Sequence, residues 1–218
     1  NTKPMDVLQM AVSSLGTFYD LEVSPEKVKT EKYDHEYFMQ TSATLIGSLG
    51  SIVAAWHRIR NGQEPIASNP ESTYAENFLH MLGAENITPL MTRIMDATLV
   101  LHGEHTINAS TFTAMVTSST LANASQVMAS AIGSLSGPLH GGANEKVVSM
   151  LEKIDSKEEI RPWLDKTLKA KNVVWGMGHR EYSVKDPRAN ILTDMVQELF
   201  KEREGGVTDI FEKAIELE

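Results

Sequence analysis

Histidines stand at three points where the sequence predicts a break between helices, and the run around His140 is the most suggestive of chemistry. This run, GPLHGGANE at residues 137–145, comes just before an apolar helical pattern from Asn144 to Ile154. The glycines beside His140 let a ligand approach the backbone closely. Because the positive end of a helix disfavours imidazolium, a neutral His140 there can donate a hydrogen bond to an oxygen that gains negative charge. A glycine-rich helix entry without chemistry explains the same residues.

A second break surrounds His105. The preceding helix is expected to end near Gly103, and Asn108 or Ser110 can cap the next one. The hydrogen-bonding groups of His105 and Asn108 would then lie in the break. Capping with an interhelical hydrogen bond is the simpler interpretation. His102 and His105 lack a third ligand nearby, so we expect no metal site.

The third break contains Gly176, Gly178 and His179. The two glycines offer exposed backbone to a ligand. Glu181 interrupts the pattern of a dinucleotide-binding fingerprint, so that class of site is not indicated.

Arg188 follows this break, at the start of a helix. Asp186 is a good N-cap and Pro187 a good first residue, so Arg188 falls in the first turn, where the helix dipole opposes a cation. Its placement is easier to understand if the planar guanidinium binds a carboxylate through two hydrogen bonds. A solvated arginine in a surface loop is the alternative. Together, these motifs indicate a site for a small anionic substrate between two helical lobes.

The elements that position these residues are almost all helical by pattern, which predicts an all-α fold. Helices are expected over Pro4–Tyr19, part of residues 20–40, Thr41–Ile59, Ser72–Leu82, Thr88–Leu101, Ala109–Met128, Asn144–Ile154, Pro162–Ala170, Asp186–Lys201 and Val207–Leu217. Ser156 and Glu159 fit a capping box. Val173–Trp175 has the pattern of one short strand. The chain is short of charge just before residue 140 and rich in it afterwards, which predicts a domain boundary or hinge there.

The chain has 218 residues, no cysteine and a formal net charge of −9. The absence of cysteine excludes disulfides, thiolate metal sites and a cysteine nucleophile. The negative charge argues against nucleic acid or an anionic membrane as the main partner. The uninterrupted apolar runs are shorter than the roughly 20 residues that span a bilayer, and no targeting sequence is visible. We therefore expect a cytoplasmic protein with no membrane partner.

Several of these motifs resemble those of the citrate synthase family, in the same order and at similar spacing. The matching stretches are Pro4–Leu8, His105–Thr111, Gly137–Glu145, Gly176–Arg180 and Asp186–Ala189. The resemblance covers essentially the whole chain but only the middle of the family's longer chain. It implies an all-α fold with a large and a small domain and an active site in the cleft between them. Residues 1–139 would be part of the large domain, and residues 140–218 part of the small domain that carries the acyl-CoA side of the cleft.

The resemblance also implies an acyltransferase activity that forms a carbon–carbon bond. The family condenses acetyl-CoA, as co-substrate, with oxaloacetate to give citrate and free CoA, and it holds no cofactor permanently. Carried over by motif, His140 would stabilise the enol of acetyl-CoA and His179 would polarise the oxaloacetate carbonyl. His105 and Arg188 would hold oxaloacetate. The loop residues expected to face CoA are Val174, Gly176, Met177 and Gly178.

The resemblance further implies a homodimer or a larger assembly of dimers. The predicted helices Pro4–Tyr19, Ser72–Leu82 and Thr88–Leu101 resemble segments of the domain that carries the family's dimer interface. We therefore expect some of these helices to form the contact between subunits.

Two departures from the family pattern bear on activity. The aspartate that removes the methyl proton belongs to a motif expected beyond Glu218, so we expect this chain to be inactive by itself. The family usually has a basic residue four positions after the histidine matched by His179. That position is Ser183 here, so Arg180 or Lys185 would have to take its place if it serves CoA.

The same motifs leave two alternatives open. A 2-methylcitrate synthase shares them and prefers propionyl-CoA. A non-catalytic helical module for binding or dimerisation is favoured by the missing aspartate, whereas the histidine motifs favour the enzyme.

Overall fold

A computed structural model describes residues 2–19, 35–104, 106–178, 184–202 and 208–218. Every regular element among them is helical, which confirms the all-α prediction. The helices are α1 Pro4–Ser14, α2 His35–Arg60, α3 Tyr74–Leu82, α4 Pro89–Leu101, α5 Ala109–Ser118, α6 Ala124–Leu135, α7 Gly142–Leu151, α8 Ile160–Lys169, α9 Pro187–Glu202 and α10 Asp209–Leu217, with 3-10 turns at Leu15–Thr17 and Lys157–Glu159. The chain divides into two compact units, Asn1–Ser136 and Gly137–Glu218. The predicted boundary at residue 140 lies close to this division, while the assignment of the parts to a large and a small domain stays a prediction.

The first unit is built around α1, which packs against α6 and α2. Val12 of α1 is fully buried, and it clusters with Ala129 and Ile132 of α6. Partly buried apolar residues complete this core: Met5, Leu8, Leu15, Leu49, Ile52 and Met128. The apolar residues of α1 recur at helical spacing, so they lie on one face of the helix, and that face is buried in the core.

Local capping sets the ends of α3 and α4. The Thr88 hydroxyl accepts a hydrogen bond from the Met91 amide, as expected for an N-cap before Pro89. Ser72 was the predicted N-cap of α3, but Thr73 provides the cap, so the helix begins one residue later than predicted. It ends at Gly83, whose φ of 86° is the left-handed conformation typical of a helix stop.

The predicted helix Ala109–Met128 is wrong as one continuous element, because the chain breaks between α5 and α6. Leu121 has a φ of 62°, which a right-handed helix cannot accommodate. Asn123 then starts α6, since its side chain accepts a hydrogen bond from the Ser125 amide. The hydroxyls of Thr117 and Ser130 lie 2.9 Å apart and join the two helices. The break was hidden because its small polar residues are tolerated both in helices and in caps.

One helix within the described residues is long and apolar enough, by length and composition alone, to cross a membrane: Glu36–Arg60. The sequence prediction passed over it because serine, glycine and threonine interrupt its apolar runs. A core helix of a soluble protein passes the same test, and this helix packs against α1 and α3. The absence of a membrane partner stays a prediction.

The second unit has its own core, formed by the buried residues Met150, Leu151, Ile154, Ile160, Val174 and Leu217. Helix α10 packs against α7 and α8 around it. The predicted strand Val173–Trp175 is wrong: no strand occurs in the described part of the chain. Val174 is 8% exposed whereas Val173 is 66% exposed. The run is apolar because its central side chain anchors a loop in the core, and the described residues contain no second strand with which it could pair.

Three helix starts in the second unit also differ from prediction. Helix α7 begins at Gly142, two residues early, and α8 begins at Ile160, two residues before Pro162. Ser156 makes no side-chain cap and instead precedes a 3-10 turn. Helix α10 begins at Asp209, two residues after the predicted start at Val207, which lies outside the described residues.

Candidate functional site

His140 lies in the connection between α6 and α7, as the sequence predicts. Its amide donates to the Gly137 carbonyl at 3.0 Å, and its own carbonyl accepts from the Ala143 amide at 3.0 Å. The Gly142 amide also donates to the Gly137 carbonyl, at 3.1 Å. These bonds wind the glycine-rich run directly into the first turn of α7, and they leave His140 partly buried.

The N-cap of α7 is Gly141, which has no side chain to bond with the amides of the first turn. A helix start of this kind carries partial positive charge on its amides. His140 is therefore held next to a local electropositive group, beside the backbone that a ligand could approach. This arrangement suits the stabilisation of an oxygen that becomes negative.

The loop at residues 174–178 packs against this same helix. Gly176 has a φ of 88°, and a side-chain carbon placed there would lie 3.1 Å from Val147 Cγ2. Lys146 Nζ lies 5.2 Å from the centre of the Trp175 ring, within range of a cation–π interaction. Because Lys146 and Val147 are in the second turn of α7, the loop lies along the helix that His140 precedes.

The outer part of this loop is open to solvent. Val174 anchors it in the core, and Gly176, Met177 and Gly178 are exposed. Gly178 has a φ of 82°, so two left-handed glycines shape the turn. Residues 176–178 are therefore accessible to solvent, whereas Val174 is 8% exposed. The contact of Val174, Gly176, Met177 and Gly178 with CoA stays a prediction.

Arg188 meets a carboxylate, and the carboxylate is that of Asp186. The Arg188 amide donates to Asp186 Oδ1 at 2.9 Å, which confirms Asp186 as a capping residue of α9. The guanidinium donates to the same carboxylate from Nε, at 3.0 Å to Oδ1, and from Nη2, at 2.6 Å to Oδ2. Sequence reasoning gave Asp186 only the cap. The spacing in the sequence indicates the second role of Asp186. An N-cap carboxylate two residues before an arginine can accept hydrogen bonds from both the amide and the side chain of that arginine.

The break around the predicted His105 site is well defined on either side. Asn108 caps α5, with its Oδ1 accepting from the amides of Ser110 and Thr111. His102 Nδ1 lies 2.7 Å from the Thr98 carbonyl oxygen, so this nitrogen carries a hydrogen and the ring closes the end of α4. No group of three potential metal ligands occurs in the ranges that the structure describes.

Two of the four predicted site residues, His105 and His179, lie outside the described residues, as do Arg180 and Ser183. His140 and Arg188 belong to the second unit. The convergence of the four on one cleft therefore stays a prediction. Lys185, the other candidate to serve CoA, pairs with Glu218 Oε1 at 2.6 Å. Both side chains are about 40% exposed, so this pair contributes little to stability.

Comparison with known proteins identifies what this chain is similar to. The family model described as the citrate synthase C-terminal domain matches residues 1–218. A citrate synthase from Synechocystis is 45% identical over 215 residues, which is 99% of this chain and 52% of that protein. A 2-methylcitrate synthase from Corynebacterium glutamicum is 37% identical over 93% of this chain and 52% of its own. This chain thus spans about half the length of the curated relatives that it matches.

Solved structures share the fold. A citrate synthase from Thermotoga maritima superposes with a TM-score of 0.75 at 32% identity, over 100% of this chain and 53% of that one. A citrate synthase from Thermoplasma acidophilum, solved as a ternary complex with carboxymethyl coenzyme A and oxaloacetate, superposes with a TM-score of 0.79 at 24% identity, over 100% of this chain and 55% of that one.

Proposed function

This chain belongs to the citrate synthase family, and from that premise we propose that the full-length protein condenses acetyl-CoA with oxaloacetate to give citrate and free CoA. One observation carries the proposal: the glycine-rich run around His140 leads into a helix start without a side-chain cap, and the loop at residues 174–178 lies along that helix. A thioester substrate needs a hydrogen-bond donor for its oxygen and backbone that the CoA part can approach. The histidine beside the helix amides would supply the first, and the exposed glycine turn would supply the second.

His140 acts on the acyl group in this proposal. Removal of a proton from the methyl group of acetyl-CoA moves negative charge onto the thioester oxygen. A hydrogen bond from His140, supported by the amides at the start of α7, lowers the energy of the resulting enol. A positioned base must take the proton. We place that base beyond Glu218, as the family motif implies.

His179, His105 and Arg188 act on oxaloacetate. His179 polarises the ketone so that the enol can attack it, and His105 and Arg188 bind the carboxylates. A guanidinium suits this task because it offers two parallel N–H donors to one carboxylate. Hydrolysis of the citryl thioester then releases citrate and CoA. The loop at residues 174–178 faces CoA, with no permanently bound cofactor.

The acyl group of the CoA substrate distinguishes the proposed citrate synthase from a 2-methylcitrate synthase. The 2-methylcitrate synthase relative is less similar than the citrate synthase relative, at 37% against 45% identity, which favours acetyl-CoA over propionyl-CoA. We also propose a cytoplasmic location, in keeping with the composition.

We propose that the protein assembles as a homodimer, with a larger assembly of dimers as the extended form. Large apolar side chains are exposed on α4 and α5, where Val100 is 70% and Phe112 is 61% exposed. Met115 and Val116 of α5 are also more than half exposed. Contact with a second subunit would remove it from water, with a gain of about 25 cal/mol for each Å² of apolar area.

The release of free CoA, followed by its thiol, tests the proposal. The full-length protein should release CoA only when acetyl-CoA and oxaloacetate are both present, and faster than with propionyl-CoA. His140→Ala should reduce kcat by roughly 100- to 1,000-fold through loss of a donor to the developing oxyanion. His102→Ala is the matched control, because His102 closes the end of α4 and the proposed reaction assigns it no role. An equal loss in the two variants would contradict the role of His140.

A further inference from the structure

The side chain of Lys146, in α7, lies over the ring of Trp175, in the loop at residues 174–178. Its Nζ is 5.2 Å from the centre of the ring, and Val147, the next residue of α7, packs against Gly176 of the same loop. Trp175 is partly buried against the core of the second unit, whereas Lys146 is exposed. A positive charge is therefore held beside the solvent-exposed glycine turn.

Lys146 makes no ion pair within the part of the chain that the structure describes. Other lysines of the second unit do so: Lys157 with Glu212 at 3.5 Å, Lys185 with Glu218 at 2.6 Å and Lys213 with Asp209 at 2.5 Å. The Lys146 ammonium instead lies against an aromatic face, which attracts a cation without neutralising it. An ammonium has three N–H donors, and the ring engages only those that face it, so the others can reach an anion.

We propose that Lys146 binds a phosphate group of CoA and that the Trp175 ring holds its ammonium in place for this contact. The inference rests on the proposed function, in which the loop at residues 174–178 faces CoA. The phosphates of CoA lie at the far end of the pantetheine arm from the thioester. Lys146 is in the second turn of α7, away from the helix start where His140 would meet that thioester.

The aromatic contact explains how an exposed lysine can bind a ligand well. A ligand usually loses affinity when it must order a long side chain that has many rotamers. The Trp175 ring reduces this loss, because it favours one position of the ammonium before the ligand arrives. A phosphate suits a compact point charge and does not need the planar fork of an arginine. Because the chain has a net charge of −9, an anionic substrate gains from a local cation at its binding surface.

Variants of the full-length protein test the contact. Lys146→Met removes the charge and keeps a long side chain, whereas Lys146→Arg keeps both the charge and the ability to lie on the ring. Lys166→Met is the matched control, because it removes the same charge from an exposed position of α8. KM for acetyl-CoA, KM for oxaloacetate and Tm are measured for each, together with the Kd of CoA by isothermal titration calorimetry. Acetylpantetheine is a second substrate, with the same thioester and pantetheine arm but no phosphate.

We expect Lys146→Met to raise the Kd of CoA and KM for acetyl-CoA about tenfold, as loss of one hydrogen bond to a charged group does. KM for oxaloacetate, Tm and the turnover of acetylpantetheine should stay close to the wild type. Lys146→Arg should recover most of the loss. Added salt should reduce the difference between the wild type and Lys146→Met, because ions screen an exposed charge.

Values of both constants within about twofold of the wild type for Lys146→Met would overturn the inference. An equal loss with acetylpantetheine would overturn it as well, because the lysine would then only shape the loop. So would an equal loss in Lys166→Met, which would reflect the overall charge of the protein. If Lys146→Met does not fold, Lys146→Gln is judged by the same criteria.

The wild type separates this inference from the proposed function. If the full-length protein releases no CoA from acetyl-CoA and oxaloacetate, the proposed function fails, and the role of Lys146 fails with it. If the wild type turns over and Lys146→Met keeps its affinity for CoA, the proposed function stands and only the role of Lys146 is wrong.

Discussion

Gly176 rests directly on Val147: a side-chain carbon at position 176 would lie 3.1 Å from Val147 Cγ2. This contact seats the exposed glycine turn against α7, the helix that follows His140. The conformation of the turn and its distance from the helix both depend on the absence of a side chain.

Gly176→Ala should destabilise the second unit more than Gly178→Ala. Both glycines have positive φ, at 88° and 82°, so both substitutions carry a conformational cost of about 1 kcal/mol. Only position 176 adds a close contact, since position 178 has nothing within 4 Å. We expect the free energy of unfolding of Gly176→Ala, measured by chemical denaturation, to be about 1 kcal/mol lower than that of Gly178→Ala. Equal losses would mean that Val147 moves aside freely.

The middle of α2 offers a similar pair. The hydroxyl of Tyr74 donates to the Ile46 carbonyl at 2.8 Å, and a side-chain carbon at Gly50 would lie 2.7 Å from that hydroxyl. Gly47→Ala meets nothing within 4 Å and should raise the free energy of unfolding by about 0.5–1 kcal/mol through helix propensity. Gly50→Ala should lose this gain, because Tyr74 must move and give up a bond worth about 1 kcal/mol. A gain in Tm as large at position 50 as at position 47 would contradict the contact.

Ionisation of Tyr74 should lower the free energy of unfolding at alkaline pH. Burial raises the pKa of Tyr74 above its ordinary value, against a smaller lowering by a backbone hydrogen bond. The unfolded chain therefore loses the phenolic proton first as pH rises. The stabilisation is complete below about pH 10 and is lost as pH rises through the higher folded-state pKa. Urea unfolding between pH 8 and 11 should show a steeper decline for the wild type than for Tyr74→Phe, and parallel curves would rule this out.

Turnover by the 218-residue chain is expected to be absent. Loss of a general base typically costs about 100- to 10,000-fold in rate. Release of CoA by this chain and by the full-length protein is compared at equal concentration. Isothermal titration with oxaloacetate is the companion measurement, since weak binding through Arg188 and His105 can survive without the base. Similar rates for the two proteins would show that the base lies within residues 1–218.

The exposed apolar surface predicts association. Sedimentation at micromolar concentration should give a dimer, and Val100→Lys should shift the equilibrium toward monomer, because the charge would have to be buried at the contact. Leu168→Lys is the matched control, on a side chain that is 57% exposed in the second unit. A monomer in the wild type, or an equal effect of the two lysines, would contradict the assembly.

Local signals in the sequence determined some helix ends. Asn108, one of the two predicted caps, starts α5, Thr88 starts α4 and Gly83 stops α3, because each of these effects needs only a few neighbouring residues. The motif around His140 likewise placed that residue at a helix entry, since glycines and an apolar stripe define such a start within ten residues. The family resemblance came from the same short stretches.

Tertiary structure decided what depends on distant residues. The local pattern predicts a strand at Val174. In the structure, Val174 is buried in a helical core together with Leu217, which is more than forty residues away in sequence. The break at Leu121 follows from the packing of α5 against α6, which no local preference reveals. Arg188 calls for a carboxylate by its chemistry alone, but only the folded helix start shows that Asp186 supplies one. Sequence patterns report local preferences, whereas the choice among neutral or competing preferences is made by burial and by hydrogen-bond partners that folding brings together.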